Sequence, residues 1–255
     1  MSEHVRIERS GATLAITLDR PERRNAITVA MYTALADAIV AAQDDAELRV
    51  ISIRGEGESF TAGNDLGDFL QTASSTDEDK PVWRLLKVLA RNRVPLVAAV
   101  HGNAVGIGTT MLLHCDLVIA AEGTRFTLPF VDLGLVPEAA SSLILPRIAG
   151  HRHAARYLLL GEPFGAEEAR NFGLVSHVVG GDLVEAKLAE IVAALLAKPA
   201  EALRLTQRLL REGTSDEFLG RINLENGHFA ERLQSEEVKA AIAAFFARVR
   251  ANPPS

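Results

Sequence analysis

Two glycine-bearing stretches carry the chemistry of this chain: Ser59-Phe60-Thr61-Ala62-Gly63-Asn64-Asp65-Leu66 and His101-Gly102-Asn103-Ala104-Val105-Gly106-Ile107-Gly108. Each follows an apolar run that reads as a buried strand, residues 50–53 and 95–100, and each leads into a segment that can be helical. A strand that stops and turns into a helix leaves amides unpaired and pointing outward, where they can bind developing negative charge. Two such junctions can form the two halves of an oxyanion hole, with Gly63, Gly106 and Gly108 letting a ligand approach the backbone closely. The glycine spacing does not suit a dinucleotide fingerprint, because no acidic residue follows a second strand at the right distance.

An enolate held in such a hole needs a base to make it. The candidate is Glu138, in Gly134-Leu135-Val136-Pro137-Glu138-Ala139-Ala140-Ser141-Ser142, with Phe130, Val131, Leu133, Leu135 and Val136 around it in sequence. Burial among them is expected to raise its pKa, and to outweigh the amides of a helix expected to open at Pro137. Asp132 reads as a surface or capping residue, and Asp65 and Asp68 as caps of the helix after the first glycine stretch. His114 and Cys115 are adjacent, which suits neither a metal site nor a Cys-His nucleophile; both read as packing residues, and no metal is expected. His101 reads as a hydrogen-bonded core residue.

The elements that must position these groups follow from periodicity. Residues 5–9 and 13–18 alternate around Ser10-Gly11 and predict a hairpin. Residues 25–42 show helical spacing at Ala30, Leu35, Ala38 and Ile39. Residues 73–80 are small, polar and acidic, and read as a surface loop that could border a site. From Leu183 to Arg250 the chain reads as helical, with breaks at Lys198-Pro199 and Gly213-Thr214. The expected fold is α/β, a core over residues 1–198 with a helical region over 199–255.

Composition bounds the function. The chain has 255 residues, a formal net charge of −6 and one cysteine. No basic excess exists to neutralise nucleic-acid phosphates or an anionic membrane, so neither is an expected partner. One cysteine allows no internal disulfide, and no run of about twenty apolar residues occurs. A cytoplasmic protein is expected.

The wording of these motifs resembles the crotonase, or enoyl-CoA hydratase/isomerase, superfamily along nearly the whole chain. The resemblance begins at Leu18-Asp19-Arg20-Pro21-Glu22-Arg23-Arg24-Asn25-Ala26 and runs through both glycine stretches and His114-Cys115-Asp116-Leu117-Val118-Ile119-Ala120. It continues in Phe126-Thr127-Leu128-Pro129-Phe130 and Leu133 to Glu138, and ends in Ala166-Glu167-Glu168-Ala169 with Gly173-Leu174-Val175. It implies a crotonase spiral of ββα units with C-terminal trimerisation helices, an acyl-CoA thioester as substrate, a homotrimer or dimer of trimers, and no cofactor beyond the coenzyme A of the substrate.

By position in the resemblance, the amides of Asn64 and Ile107 are the oxyanion donors, mattering by backbone conformation. Substrate contacts are implied for Asn25, Ala26, Ala62, Gly63, Asp65, Leu66, Gly106, Gly108, Thr110 and Phe130, and for Phe245 and Arg248 in the tail. Hydratases of this family usually carry two glutamates where this chain has Thr110 and Phe130. The single Glu138 instead resembles the arrangement in peroxisomal-type Δ3,Δ2-enoyl-CoA isomerases, which need one carboxylate to move one proton. A hydratase or other crotonase reaction using Glu138 with a water or Asp132, and a non-catalytic acyl-CoA-binding scaffold, stay open as alternatives.

Overall fold

The computed structural model describes residues 2–65, 67, 68 and 80–251. The predicted hairpin forms as β1 (Val5–Ser10) and β2 (Thr13–Leu18), turning at Gly11. α1 (Val29–Asp44) starts later than residue 25, because Arg24 and Asn25 take left-handed φ values of 51° and 56°, which no right-handed helix accommodates. Thr28 caps it, its side chain accepting from the Met31 amide at 3.3 Å. Then come β3 (Val50–Gly55), α2 (Pro81–Ala90), β4 (Leu96–Val100), β5 (Asn103–Val105), α3 (Ile107–Thr110), β6 (Leu117–Ala121) and β7 (Arg125–Thr127). The chain continues through α4 (Ser141–Ala149), α5 (His151–Leu159), β8 (Phe164–Gly165), α6 (Ala166–Asn171), β9 (His177–Val179) and α7 (Val184–Leu196). It closes with α8 (Ala200–Arg211), α9 (Ser215–Leu233) and α10 (Glu236–Ala251). The expected breaks at 198–199 and 213–214 are present, and a further one falls at Gln234-Ser235.

One sheet runs β1-β2-β3-β4-β6-β9, parallel except for the hairpin, and a smaller one runs β5-β7-β8. Both faces of the sheet are covered at β3, β4 and β6, which is why residues 50–53, 96–100 and 117–121 are largely apolar rather than alternating, whereas the outer strand β1 alternates and is largely exposed. Ile51, Ile53, Leu96, Ala98, Val100, Val118 and Ala120 join the main core with α1 and α2. The intervening Val50, Val97, Ala99, Ile119 and Ala121 pack on Val184, Leu188 and Ile191 of α7. A long strand followed at once by a short one, β4 then β5 and β6 then β7, steps the chain from the first sheet to the second. The architecture is an α/β spiral.

The C-terminal helices are joined to the core by buried and polar contacts. Ile222, Phe229, Leu233, Val238 and Ile242 belong to the main core. Arg211 donates to the Leu89 and His114 carbonyls and pairs with Asp116, whose other oxygen accepts from the Leu96 amide. No helix among the described residues is long and apolar enough to cross a membrane.

The corner between β4 and β5 shows how little room the spiral leaves. Gly102 has φ 60°, and a Cβ there would lie 1.9 Å from the Glu58 carbonyl oxygen. Replacing Gly102 by Ala should therefore destabilise the fold by at least about 1 kcal/mol, through left-handed strain and backbone displacement. Urea unfolding measures it; an unchanged midpoint would show that the corner has slack.

Candidate active site

The two glycine loops are brought together by a backbone pairing. Thr61 bridges Ala104 in parallel, its amide donating to Asn103 O at 3.0 Å and its carbonyl accepting from the Val105 amide at 3.1 Å. Residues 62–64 thereby lie beside residues 105–107. A Cβ on Gly63 would sit 2.8 Å from Val105 O, and one on Gly108 would sit 2.4 Å from Thr61 Cγ2. Those two glycines were expected to make room for a ligand; the room they make is for the opposite loop. Gly106 is different, with open space around it and φ 55°, ψ −116°, a backbone state that side chains rarely adopt.

Neighbouring amides are consumed. Gly63 N donates to Thr61 Oγ1, Asp65 N to Ile27 O and Gly106 N to Thr127 O. The Asn64 and Ile107 amides, by contrast, have no acceptor among the described residues, and the next amide of the second loop, Gly108, has none either. Two unpaired donors on adjacent loops suit a developing oxyanion, each worth roughly 3 kcal/mol to a transition state when aimed at it. α3 is a single turn, so the amides rather than a helix macrodipole carry this effect. The Asn64 side chain also has a role that was not expected: its Oδ1 accepts a short hydrogen bond from the Tyr32 hydroxyl of α1.

Glu138 lies against the same elements. It is 3 % exposed, and its Oε1 is 3.5 Å from the Thr110 hydroxyl, on the turn that begins with Ile107. Tyr32, which holds Asn64, feels the Glu138 charge; burial first and that charge second push its phenol pKa well up. Glu138 therefore touches the turn that carries the Ile107 amide and acts on the residue that holds Asn64. Burial, and then the Glu225 carboxylate of α9, raise its pKa from an ordinary 4.5 to about 8.

The segment carrying Glu138 is not the helix N-terminus expected at Pro137. α4 begins at Ser141, and Ala139 and Ala140 before it take left-handed φ values of 60° and 58°. Each such alanine costs about 1 kcal/mol, so the turn must be held. His114 Nε2 meets Ala139 O at 2.8 Å. Burial lowers the pKa of that imidazole to about 4, so the ring is neutral and Nε2 carries the donated proton. From the other side, Glu225 accepts from the Ala140 amide at 2.6 Å, the Ser142 amide at 3.0 Å and the Ser142 hydroxyl. Charge-assisted bonds of about 2 kcal/mol each exceed the strain. Glu225 went unnoticed in the sequence, where it is one acidic residue in a helix rich in them.

Other expected site residues are placed as follows. Asn25 is fully buried and spent on the protein itself: it accepts from the Arg20 amide, donates to the Glu56 and Ser59 carbonyls, and its own carbonyl accepts from Thr61 Oγ1. Its side chain is a brace and not a ligand contact. The Ala26 carbonyl accepts from Arg20. Asp65 pairs with Arg20 at 2.7 Å and accepts from the Gly67 and Asp68 amides, the capping role expected of it. Asp68 instead accepts from Val29 N at the start of α1. Ala62 is half-buried, and Phe130 is buried in the main core. Asp132 is exposed against Gly161. Burial pushes the Cys115 thiol pKa up, as suits an inert packing residue. Leu66 and residues 73–79 lie outside the described residues; Phe245 and Arg248 fall in α10, at positions where the backbone alone is described.

Known proteins are similar to this chain over nearly its whole length. The enoyl-CoA hydratase/isomerase family model matches residues 8–252. The 1,2-epoxyphenylacetyl-CoA isomerase of Escherichia coli K12 is 30% identical, with 92% of each chain covered. The 2,3-dehydroadipyl-CoA hydratase of the same organism is 32% identical, with 96% of each covered. The solved structure of Pseudomonas aeruginosa OdaA superposes with a TM-score of 0.92 at 42% identity, covering 96% of this chain and 99% of that one. The chain belongs to the enoyl-CoA hydratase/isomerase family, and is an acyl-CoA enzyme of it.

The pKa of Glu138 has two consequences. A carboxylate acting as base must be ionised, so kcat/KM should rise with pH along a limb near 8. The folded state also keeps a proton that the unfolded chain has released between about pH 4.5 and 8, so Glu138 takes away stability as pH rises through that window. Glu138→Gln should gain stability relative to wild type on going from pH 5 to pH 9. A stability difference that is flat over that range would show that Glu138 is not held protonated.

Proposed function

We propose that the protein is a Δ3,Δ2-enoyl-CoA isomerase. The observation that carries this reading is the single usable carboxylate beside the two free amides. Glu138 and Glu225 are the two buried carboxylates among the described residues, and Glu225 is occupied by the amides of Ala140 and Ser142. Thr110 and Phe130 stand where a hydratase has its glutamates, and Asp132 is turned to solvent. Addition of water needs groups that hold the water, take its proton and protonate the adjacent carbon. Transfer of one proton within one substrate needs a single base.

In this reading the Glu138 carboxylate removes a proton from C2 of a 3-enoyl thioester. The electron pair of that C–H bond moves toward the thioester carbonyl, whose oxygen becomes an enolate held by the Asn64 and Ile107 amides. Glu138 then returns the proton to C4, the double bond lies between C2 and C3, and the carboxylate is regenerated. No cofactor is consumed. A base with a raised pKa, close to working pH, is suited to taking a proton from carbon and giving it back.

With 3-enoyl-CoA and 2-enoyl-CoA supplied separately, isomerisation should be far faster than hydration, and Glu138→Gln should lower isomerisation by at least about 100-fold while coenzyme A ligands still bind. Hydration as fast as isomerisation across short and medium chains would sink the assignment. Wild-type turnover by the variant would exclude Glu138 as the base.

The trimer or dimer of trimers implied by the resemblance is part of the same proposal. Ile222 and Phe229 of α9 are buried within their own chain and belong to its core. The exposed leucines of α8 and α9 support the assembly: Leu209 and Leu210 are 64% and 73% exposed, and Leu205 and Leu224 are exposed near them in sequence. Leu209→Glu with Leu210→Glu should weaken assembly, read by light scattering. An unchanged oligomer would move the interface elsewhere.

A further inference from the structure

Glu225 is a buried carboxylate that the reaction above does not use, bonded to the backbone two and four residues after Glu138. It comes from α9, 85 residues after Ala140, and takes the amides on either side of Ser141. Its remaining charged neighbour is Arg221, one turn earlier, which reaches the Ser142 hydroxyl at 3.5 Å. A helix could be capped by Ser, Asn or a water at far lower desolvation cost than a buried carboxylate. A full charge at this point therefore does something a neutral cap would not.

We propose that Glu225 is the positioning residue of Glu138: it locks the left-handed Ala139-Ala140 turn that follows Glu138, and it sets a second carboxylate on the backbone just beyond the base. The first role follows from the hydrogen bonds. The second follows from the groups that face Glu138. From α1 comes the Tyr32 phenol, which stays protonated. From α3 comes the Thr110 hydroxyl, while the neutral His114 holds the neighbouring Ala139 carbonyl. Glu225, from α9, is thus the one charge among these groups, and it is among the causes that raise the Glu138 pKa. This inference rests on Glu138 being the base, and explains how a carboxylate there acquires the basicity that carbon acids require.

The test is Glu225→Gln, which keeps the shape, offers one acceptor oxygen in place of two and removes the charge. We expect kcat to fall by about 10-fold or more with KM within about twofold, and the rising limb of the pH profile to move to lower pH. The titration of the Glu138 carboxyl, followed by infrared difference spectra against Glu138→Gln, should move the same way and needs no turnover. Full activity in Glu138→Gln would thus overturn the base while leaving the influence of Glu225 on Glu138 still measurable. Lower kcat with an unmoved Glu138 titration would reduce Glu225 to a structural cap and overturn the proposal, as would no change in either. The same pair of measurements is made in an Ala139→Gly/Ala140→Gly background, where the left-handed turn needs no clamp and Glu225→Gln can fold without it. There the loss in kcat should shrink while the titration shift persists; an undiminished loss would overturn the positioning role.

Discussion

The parallel bridge between Thr61 and Ala104 is the contact on which the site depends. It seats the end of one strand-to-helix junction on the start of the next, closely enough that Gly63 and Gly108 can carry no side chain. With the loops fixed in that way, the amides of Gly63, Asp65 and Gly106 are spent on the protein while those of Asn64 and Ile107 are not. The candidate oxyanion hole is what remains after two loops have satisfied each other. Asn25 secures the outer side of the same junction, one side-chain bond closing the 20–25 turn on the Arg20 amide and two tying that turn to the Glu56 and Ser59 carbonyls.

Glu138 is held by a different logic. It has no helix of its own and sits before two left-handed alanines, a conformation that residues of that type do not choose. Contacts from distant parts of the chain, His114 on one side and Glu225 on the other, impose it. The same surroundings that fix the direction of the carboxyl also deprive it of water, which raises its pKa. Position and basicity have one structural cause.

The C-terminal helices consequently serve the site as well as any assembly. α9 supplies Glu225 from its buried face, along with Ile222 and Phe229 in the core, while Leu224 on the same helix faces out. A periodic apolar pattern cannot by itself tell these faces apart, because a leucine that packs on its own core and one that packs on a second copy have the same chemistry.

The sequence by itself determined the hairpin, the apolar strands, the two glycine junctions and the presence of one glutamate in an apolar stretch, because these depend on local patterning and on wording confined to short segments. It also carried the family, since the motifs run nearly end to end. Tertiary structure alone decided the rest. That Gly63 and Gly108 serve loop-to-loop contact, that Asn25 is a brace, that Tyr32 holds Asn64 and that Glu225 bonds the turn after Glu138 are facts about residues about 30 to 90 positions apart. Hydrogen bonds and burial act between groups that are close in space, and a chain's own order does not record which distant groups those will be.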